Sequence, residues 1–204
     1  YIGCWMGRGG ANYRYMGGGH MNAAGVHCVT FLLMAKECGV NVDEHTLQSS
    51  LLQSYRFAGR GNVAYGDGEP EGGMVSNGRT TGLALAMQAA ANLHPDGEKS
   101  VYAQARDISA TKGFYSTSWL FHGHTGGGIG ELWTGQSMGV VKDKRPLQYR
   151  SFMDERRWMY ELARTHDGVF GWISGWNVSY TDTAKGGRGW GNWIPLIYTI
   201  PRQQ

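Results

Sequence analysis

The side chains with the widest chemical range in this chain stand beside glycines, in loops that recur along it. Aromatic, carboxylate, imidazole, amide and guanidinium groups lie in or next to these loops: Tyr15, His20, Asn22, Tyr65, Asp67, Glu69, Glu71, Asn77, Arg79, His122, His124, Asp167 and Trp172. The chain has 33 glycines, roughly twice the usual share of about 7%. Because the glycines cluster beside rings and polar groups, the loops are typical of a concave ligand surface.

The second of these loops, which begins at Tyr65, carries the densest group of carboxylates, Asp67, Glu69 and Glu71. Hydrolysis of a glycoside needs two carboxylates at a defined separation, one of them with a raised pKa. Asp67 together with Asp167 or Glu131 satisfies that requirement if the fold brings the segments together. The alternative is structural, because acidic residues beside glycines also form turns and cap helices. The spacing lacks the twelve-residue ligand pattern of a calcium loop, so we predict no metal here.

The third loop places His122 and His124 on either side of Gly123, so both imidazoles face one side of an extended segment. One of them can act as an acid or base, both can bind a metal, or both can cap the following helix. Spacing nominates no third ligand, so we predict no metal and assign the acid–base role to His124. His20 holds the corresponding position in the first loop, which favours a structural task that each repeat performs.

Each of the first three loops leads into a helical hairpin. The first helix of each pair is apolar almost all round, which is typical of a helix surrounded by protein; these inner helices are predicted at 26–35, 83–93 and 131–141. The second helix of each pair is amphipathic, and these outer helices are predicted at 46–57, 101–111 and 149–164. Arg156 and Arg157 are assigned to the solvated face of the last one. A loose period of about 50 residues indicates stacked hairpins.

Charge and length exclude several functions. The net charge is +3 with lysines and arginines scattered along the chain, so we predict no nucleic-acid partner. No apolar run reaches the about 18 residues that a membrane span needs. The chain begins at Tyr1 rather than Met, which suggests a piece of a longer polypeptide whose remaining segments are its natural partners.

The loop openings and paired helices resemble the α/α-toroid superfamily, which includes terpenoid cyclases, protein prenyltransferase β-subunits and six-hairpin glycosidases and polysaccharide lyases. The closest resemblance is to an uncharacterised bacterial toroid family of unknown function, common in large secreted proteins. It covers residues 13–201 and implies an all-α fold in which the hairpins form part of a ring. It also favours a secreted or periplasmic location.

The chemistry of the reactive superfamily members is not carried by these residues. The cyclases use an Asp-x-Asp-Asp motif, which is absent here. The prenyltransferases hold zinc with an Asp, a Cys and a His. The neighbours His27 and Cys28 lie on one helix and point about 100° apart, so they do not share a metal. We predict no cofactor.

Two regions are predicted, namely toroid hairpins over residues 1–172 and an irregular tail over 173–204. The tail contains a short extended edge segment at 193–201, with proline near both ends.

Inner helices of a toroid run parallel, which would place all the loops on one rim. We therefore predict a carbohydrate-active domain, similar to a hydrolase or lyase, acting on a saccharide at that rim. Asp67, His124 and Asp167 are the predicted catalytic groups. The predicted substrate-binding residues are Tyr15, His20, Asn22, Tyr65, Glu69, Glu71, Asn77, Arg79, His122 and Trp172. The alternatives are a non-catalytic toroid that binds a glycan or a protein, and a structural hairpin array. An enzyme should contain a strongly shifted carboxylate or histidine in a cleft, whereas a binder needs only the aromatic groups.

Overall fold

The computed structural model describes residues 22–60, 62–64, 78–115, 129–164, 166, 168 and 194–197. Within these ranges the fold is all-α, and no strand is present. Six helices form three successive hairpins: α1 (Asn22–Glu37), α2 (Glu44–Tyr55), α3 (Arg79–Leu93), α4 (Val101–Tyr115), α5 (Ile129–Val140) and α6 (Pro146–Ala163). A single helical turn, α7 (Ile194–Ile197), follows. None of the described helices is long and apolar enough to cross a membrane.

Local sequence explains where the helices of the hairpins begin and end. After α1 the chain reverses at Gly39, whose φ of 81° is readily adopted only by glycine. Asp43 caps α2, since its Oδ1 accepts a hydrogen bond from the Thr46 amide at 2.8 Å. Pro146 occupies the first turn of α6, where its missing amide proton costs nothing.

The helices α1, α3 and α5 form an inner row that runs in one direction. Near their N-terminal ends, Gly82 of α3 packs against His27 of α1, and the Thr81 and Thr134 hydroxyls of α3 and α5 lie 3.3 Å apart. At the other end of α1 and α3, Asn92 donates a hydrogen bond to Glu37 at 3.0 Å. Contacts between like ends of α1 and α3 mean that these helices are parallel. Further along α3, Ala84 packs in one cluster with Met138, so α5 follows the same direction.

The outer helix α4 runs antiparallel to α3. Gly113, near the end of α4, packs against Thr81 at the start of α3. Arg106, in the middle of α4, donates to Gln88 further along α3 at 2.6 Å. The end of α4 thus contacts the start of α3, and the middle of α4 contacts a later part of α3, so the two helices are antiparallel.

The core is centred on α3, which contacts α1, α4 and α5. Leu83, Ala84, Ala86 and Met87 are all 0% exposed. The prediction that the second inner helix is surrounded by protein is thus confirmed.

The same prediction was wrong for part of α1. Phe31 and Met34 are 70% and 54% exposed, whereas Val26, Val29 and Leu33 are at most 2% exposed. The physical reason is that α1 packs its Val26–Leu33 side into the core cluster with α2 and α3, and its opposite side is left open. An apolar sequence therefore did not imply burial on every side.

Two further predictions are corrected. Arg156 was assigned to solvent but is 1% exposed, because its guanidinium lies 3.9 Å from the ring centre of Phe152 in a cation–π contact. The tail segment 193–201 was predicted to be extended, but α7 is helical over four of its residues. Ile197 is 2% exposed and occupies the space that a side chain at Gly135 of α5 would fill. This contact with α5 outweighs the preference of the local sequence for an extended conformation.

Glu98 contacts both a buried arginine of the second hairpin and a lysine in the turn of the third. Arg106 is 2% exposed and contacts Glu98 at 2.6 Å and Asp107 at 2.8 Å. Lys144 contacts Glu98 at 2.5 Å. Hydrogen bonds from Arg106, and secondarily from Lys144, lower the pKa of Glu98 to about 2. This network holds the turn ends of the hairpins together.

Because Leu83 is fully buried in the central helix, we expect Leu83→Ala to lower the free energy of unfolding by about 2–5 kcal/mol. The matched control is Leu147→Ala, on an α6 residue that is 80% exposed, with an expected change below about 0.5 kcal/mol. Urea unfolding followed by circular dichroism measures both. Equal losses in the two variants would contradict the central position of α3.

Candidate functional site

The N-terminal ends of α1, α3 and α5 lie side by side, and we call this the rim end. An aromatic pair is its most distinctive feature. The imidazole of His27 on α1 stacks on the indole of Trp133 on α5, with ring centres 4.1 Å apart and an angle of 14° between the planes. The two helices are on either side of α3, so the rings meet across it.

Gly82 of α3 makes room for this pair. A Cβ atom at that position would lie 3.1 Å from Cε1 and 3.5 Å from Nδ1 of His27, and 3.2 Å from Cγ1 of Val26. The distances of 3.1 and 3.2 Å are tighter than ordinary van der Waals contact, so His27 and Val26 would have to shift by a few tenths of an ångström to accept a Cβ atom here. Glycine at this position thus allows the close approach of a neighbouring side chain.

Burial lowers the pKa of His27 to about 4, because the protonated imidazole would lose its hydration. The ring is therefore neutral at physiological pH. Its Nδ1 atom is buried and has no hydrogen-bond partner within the part of the chain that the structure describes. A neutral imidazole offers one donor and one acceptor, which suits hydroxyl groups better than ions.

Hydroxyl groups beneath the stack tie the inner helices together. Thr81 donates to the carbonyl of Gly78 at 3.0 Å, and its hydroxyl is 3.3 Å from that of Thr134. The Ser137 hydroxyl donates to the carbonyl of Thr81. These bonds satisfy buried polar atoms without adding charge, and they hold α3 and α5 in register under the aromatic pair.

Two of the predicted substrate-binding residues fall within the described ranges. Asn22 is the first residue of α1 and is 8% exposed. Arg79 is the first residue of α3 and is 1% exposed, with its Nε donating to the carbonyl of Val63 at 3.0 Å. The Val63 amide in turn donates to the Thr80 hydroxyl at 3.0 Å. Both residues lie at the rim end, and both are buried; their predicted role in substrate binding stays a prediction.

The other predicted site residues lie outside the described ranges: Tyr15, His20, Tyr65, Asp67, Glu69, Glu71, Asn77, His122, His124, Asp167 and Trp172. The described parts of α1, α3 and α5 begin at 22, 79 and 129. The chain therefore enters all three helices at the same end of the array. Among the described residues, no three metal-ligating side chains are close enough to hold an ion.

His27 and Trp133 are not among the site residues predicted from the sequence. His27 stands in an apolar helix beside Cys28 and Val29, and Trp133 lies more than a hundred residues further on. No spacing rule connects them. The one available signal was the glycine at position 82, inside an otherwise apolar helix, since such a glycine often marks a close packing contact.

A separate cavity of about 180 Å³ lies at the opposite end of the hairpins. It is lined mainly by apolar side chains, with Lys36, Gln48 and His94 at its edge. Lys36 and Gln48 already donate to Glu44, at 2.7 and 2.9 Å. Since these polar groups are engaged within the protein, we place the candidate site at the rim end.

The described fold defines an all-α protein of repeated helical hairpins with a parallel inner row. The chain belongs to the family described as a domain of unknown function (DUF6288), whose profile matches residues 1–204. No curated protein and no solved structure matches the chain.

The buried imidazole makes stability depend on pH. The pKa of His27 is about 4 in the folded protein against about 6.5 in an unfolded chain, so the unfolded state binds more protons between these values. The free energy of unfolding is therefore unaffected by this group above pH 6.5, where His27 is neutral in both states. As the pH falls towards 4, the free energy of unfolding decreases by an amount on the order of 2–3 kcal/mol.

We expect His27→Phe, which keeps a ring against Trp133, to flatten the pH dependence of unfolding between pH 6.5 and 4. Urea midpoints measured across that window test this expectation. Parallel profiles for the two proteins would show that His27 is protonated in the folded state.

Proposed function

We propose that the rim end binds a saccharide, or another ligand rich in hydroxyl groups. The observation that carries this proposal is the stack of His27 on Trp133. Aromatic faces pack against the apolar faces of sugar rings, and a neutral imidazole can form a hydrogen bond with a hydroxyl group.

We further propose that the three hairpins are part of an α/α toroid. Support comes from the parallel inner row of α1, α3 and α5 and the antiparallel α4 outside it. A toroid places the starts of its inner helices on one rim, which agrees with the loops that join these helices at a single end.

The catalytic part of the proposal is a hydrolase or lyase activity on that saccharide. Asp67, His124 and Asp167 are proposed as the groups that transfer protons, in loops next to the rim end. His27 is a poor general base at neutral pH, because a pKa of about 4 lies far below the working pH. Its role is to orient a hydroxyl group.

The alternatives are a toroid that binds a glycan or a protein without reaction, and a hairpin array with a structural role only. The binding alternative keeps the aromatic contacts and needs no proton transfer. The structural alternative needs neither the aromatic contacts nor proton transfer, so a binding experiment separates it from the binding alternative.

The test is calorimetric titration of the chain with cellohexaose, xylohexaose and chitohexaose, together with product analysis after incubation. We expect one of these to bind, and Trp133→Ala to weaken that binding about tenfold, a loss at the lower end of the about 1–3 kcal/mol that a base stacked on an aromatic side chain loses on alanine substitution. The matched control is Trp158→Ala, which removes a tryptophan that is 50% exposed on the outer helix α6 and should leave binding unchanged.

Asp67→Asn separates catalysis from binding. Loss of turnover with binding retained would support the hydrolase or lyase, whereas binding without turnover in the wild type would support the non-catalytic alternative. If none of the three oligosaccharides binds, or if Trp133→Ala binds as well as the wild type, the proposed site is wrong.

A further inference from the structure

The cavity at the end opposite the rim lies between the turns of the first and second hairpins. Four buried apolar side chains from α1, α2 and α3 line it: Leu33, Leu47, Leu51 and Ala90. Leu93, Pro95 and Tyr102 complete its apolar wall. Protein interiors hold few spaces larger than a water molecule, so a cavity of about 180 Å³ beside the main hydrophobic cluster is unusual.

The size and charge of the cavity restrict what it can bind. An apolar cavity of similar size, about 150 Å³, takes up one benzene ring in another protein. Lys36, at the edge of the cavity, already pairs with Glu44 at 2.7 Å. A charged ligand would therefore leave water without gaining a counterion. The fitting ligand is an uncharged molecule about as large as one six-membered ring.

Two polar atoms of the lining side chains make no hydrogen bond with the residues that the structure describes, namely Nε2 of His94 and the hydroxyl of Tyr102. The Nδ1 atom of His94 accepts a hydrogen bond from the Asp96 amide at 3.1 Å, which leaves the ring proton on Nε2 as a donor. The Tyr102 hydroxyl can donate or accept. The two rings are in edge-to-face contact with their centres 5.6 Å apart, so both polar atoms belong to the same part of the lining.

Tyr102 is also held by a second ring. Tyr55 of α2 packs edge-to-face against it, with ring centres 5.8 Å apart. Burial raises the pKa of Tyr102, because the phenolate would lose its hydration, so the hydroxyl is neutral at physiological pH. A fixed aromatic wall favours an aromatic ligand, since contacts between aromatic rings stabilise beyond the area that they bury.

We propose that this cavity binds an uncharged aromatic ring that carries one hydroxyl group, that is, a phenol-like molecule. The ring packs among the buried side chains Leu33, Leu51 and Ala90. The hydroxyl group forms its hydrogen bonds with His94 and Tyr102. This site is separate from the rim end and does not depend on the function proposed there.

Calorimetric titration with phenol, benzene, cyclohexanol and benzoate tests the proposal. We expect phenol to bind most tightly. Benzene should bind about fivefold more weakly because it lacks the hydroxyl group, and cyclohexanol should also bind more weakly because it lacks the aromatic ring. Benzoate should not bind, because the cavity offers its charge no free counterion.

Tyr102→Phe removes one hydroxyl group and keeps the ring contacts with Tyr55 and His94. It should lower the affinity for phenol about fivefold and leave the affinity for benzene unchanged. The matched control is Tyr149→Phe, on a partly buried tyrosine of α6 that packs against the other hydrophobic cluster, and it should bind phenol as the wild type does. Trp133→Ala, at the rim end, should also leave phenol binding unchanged.

Ala90→Leu tests the location of the ligand. The larger side chain occupies part of the cavity, so phenol binding should be lost. The melting temperature, followed by circular dichroism, should not fall, because filling a cavity offsets the cost of the added side chain.

The outcomes are distinct from those of the saccharide site. The proposal is overturned if phenol does not bind, if benzene binds as tightly as phenol, or if folded Ala90→Leu retains the wild-type affinity for phenol. Equal losses in Tyr102→Phe and Tyr149→Phe also overturn it, and this comparison decides the matter if Ala90→Leu does not fold. Oligosaccharide binding that Trp133→Ala weakens would stand in each of these cases.

Discussion

The architecture depends on how closely the neighbours of α3 can approach it. Gly113 on α4 leaves space for the Thr81 side chain of α3, and Gly82 on α3 leaves space for His27 of α1. Any side chain at either glycine would have to displace a neighbour. Since protein interiors are packed nearly as densely as organic crystals, the missing Cβ atoms set the helix separations directly. The hydroxyl contacts of Thr81, Thr134 and Ser137 then lie within hydrogen-bonding range.

This packing has a chemical consequence at the rim end. Because Gly82 presents no side chain, an imidazole from α1 reaches an indole from α5 across the central helix. The burial that results removes water from the imidazole and lowers its pKa to about 4. A packing requirement thus produces a neutral polar ring beside an aromatic face, at the end of the array where the inner helices begin.

Away from the aromatic pair, two arginine side chains are buried. Arg106 is almost fully buried, and Glu98 and Asp107 neutralise it while remaining partly in water. Arg156 is buried differently, over the ring of Phe152 with Glu155 at 3.2 Å. In both places a guanidinium is covered only where its planar group meets a carboxylate or an aromatic face. Lys144, which contacts Glu98 and Asp107, joins the third hairpin to the second beside the first of these arginines.

The sequence by itself determined the helices, because their signals are local. Apolar runs, the Asp43 cap, the turn at Gly39 and the first-turn Pro146 act over one or two helical turns, and all six helices lie where these signals predict them. Only the tertiary structure decided which apolar residues are covered. Leu83 is buried, whereas Phe31 is exposed to solvent. Arg156 is buried, and Ile194–Ile197 forms a helical turn against α5. His27 stacks on Trp133. Each of these outcomes depends on a neighbour distant in sequence, and no local pattern records which neighbour that is.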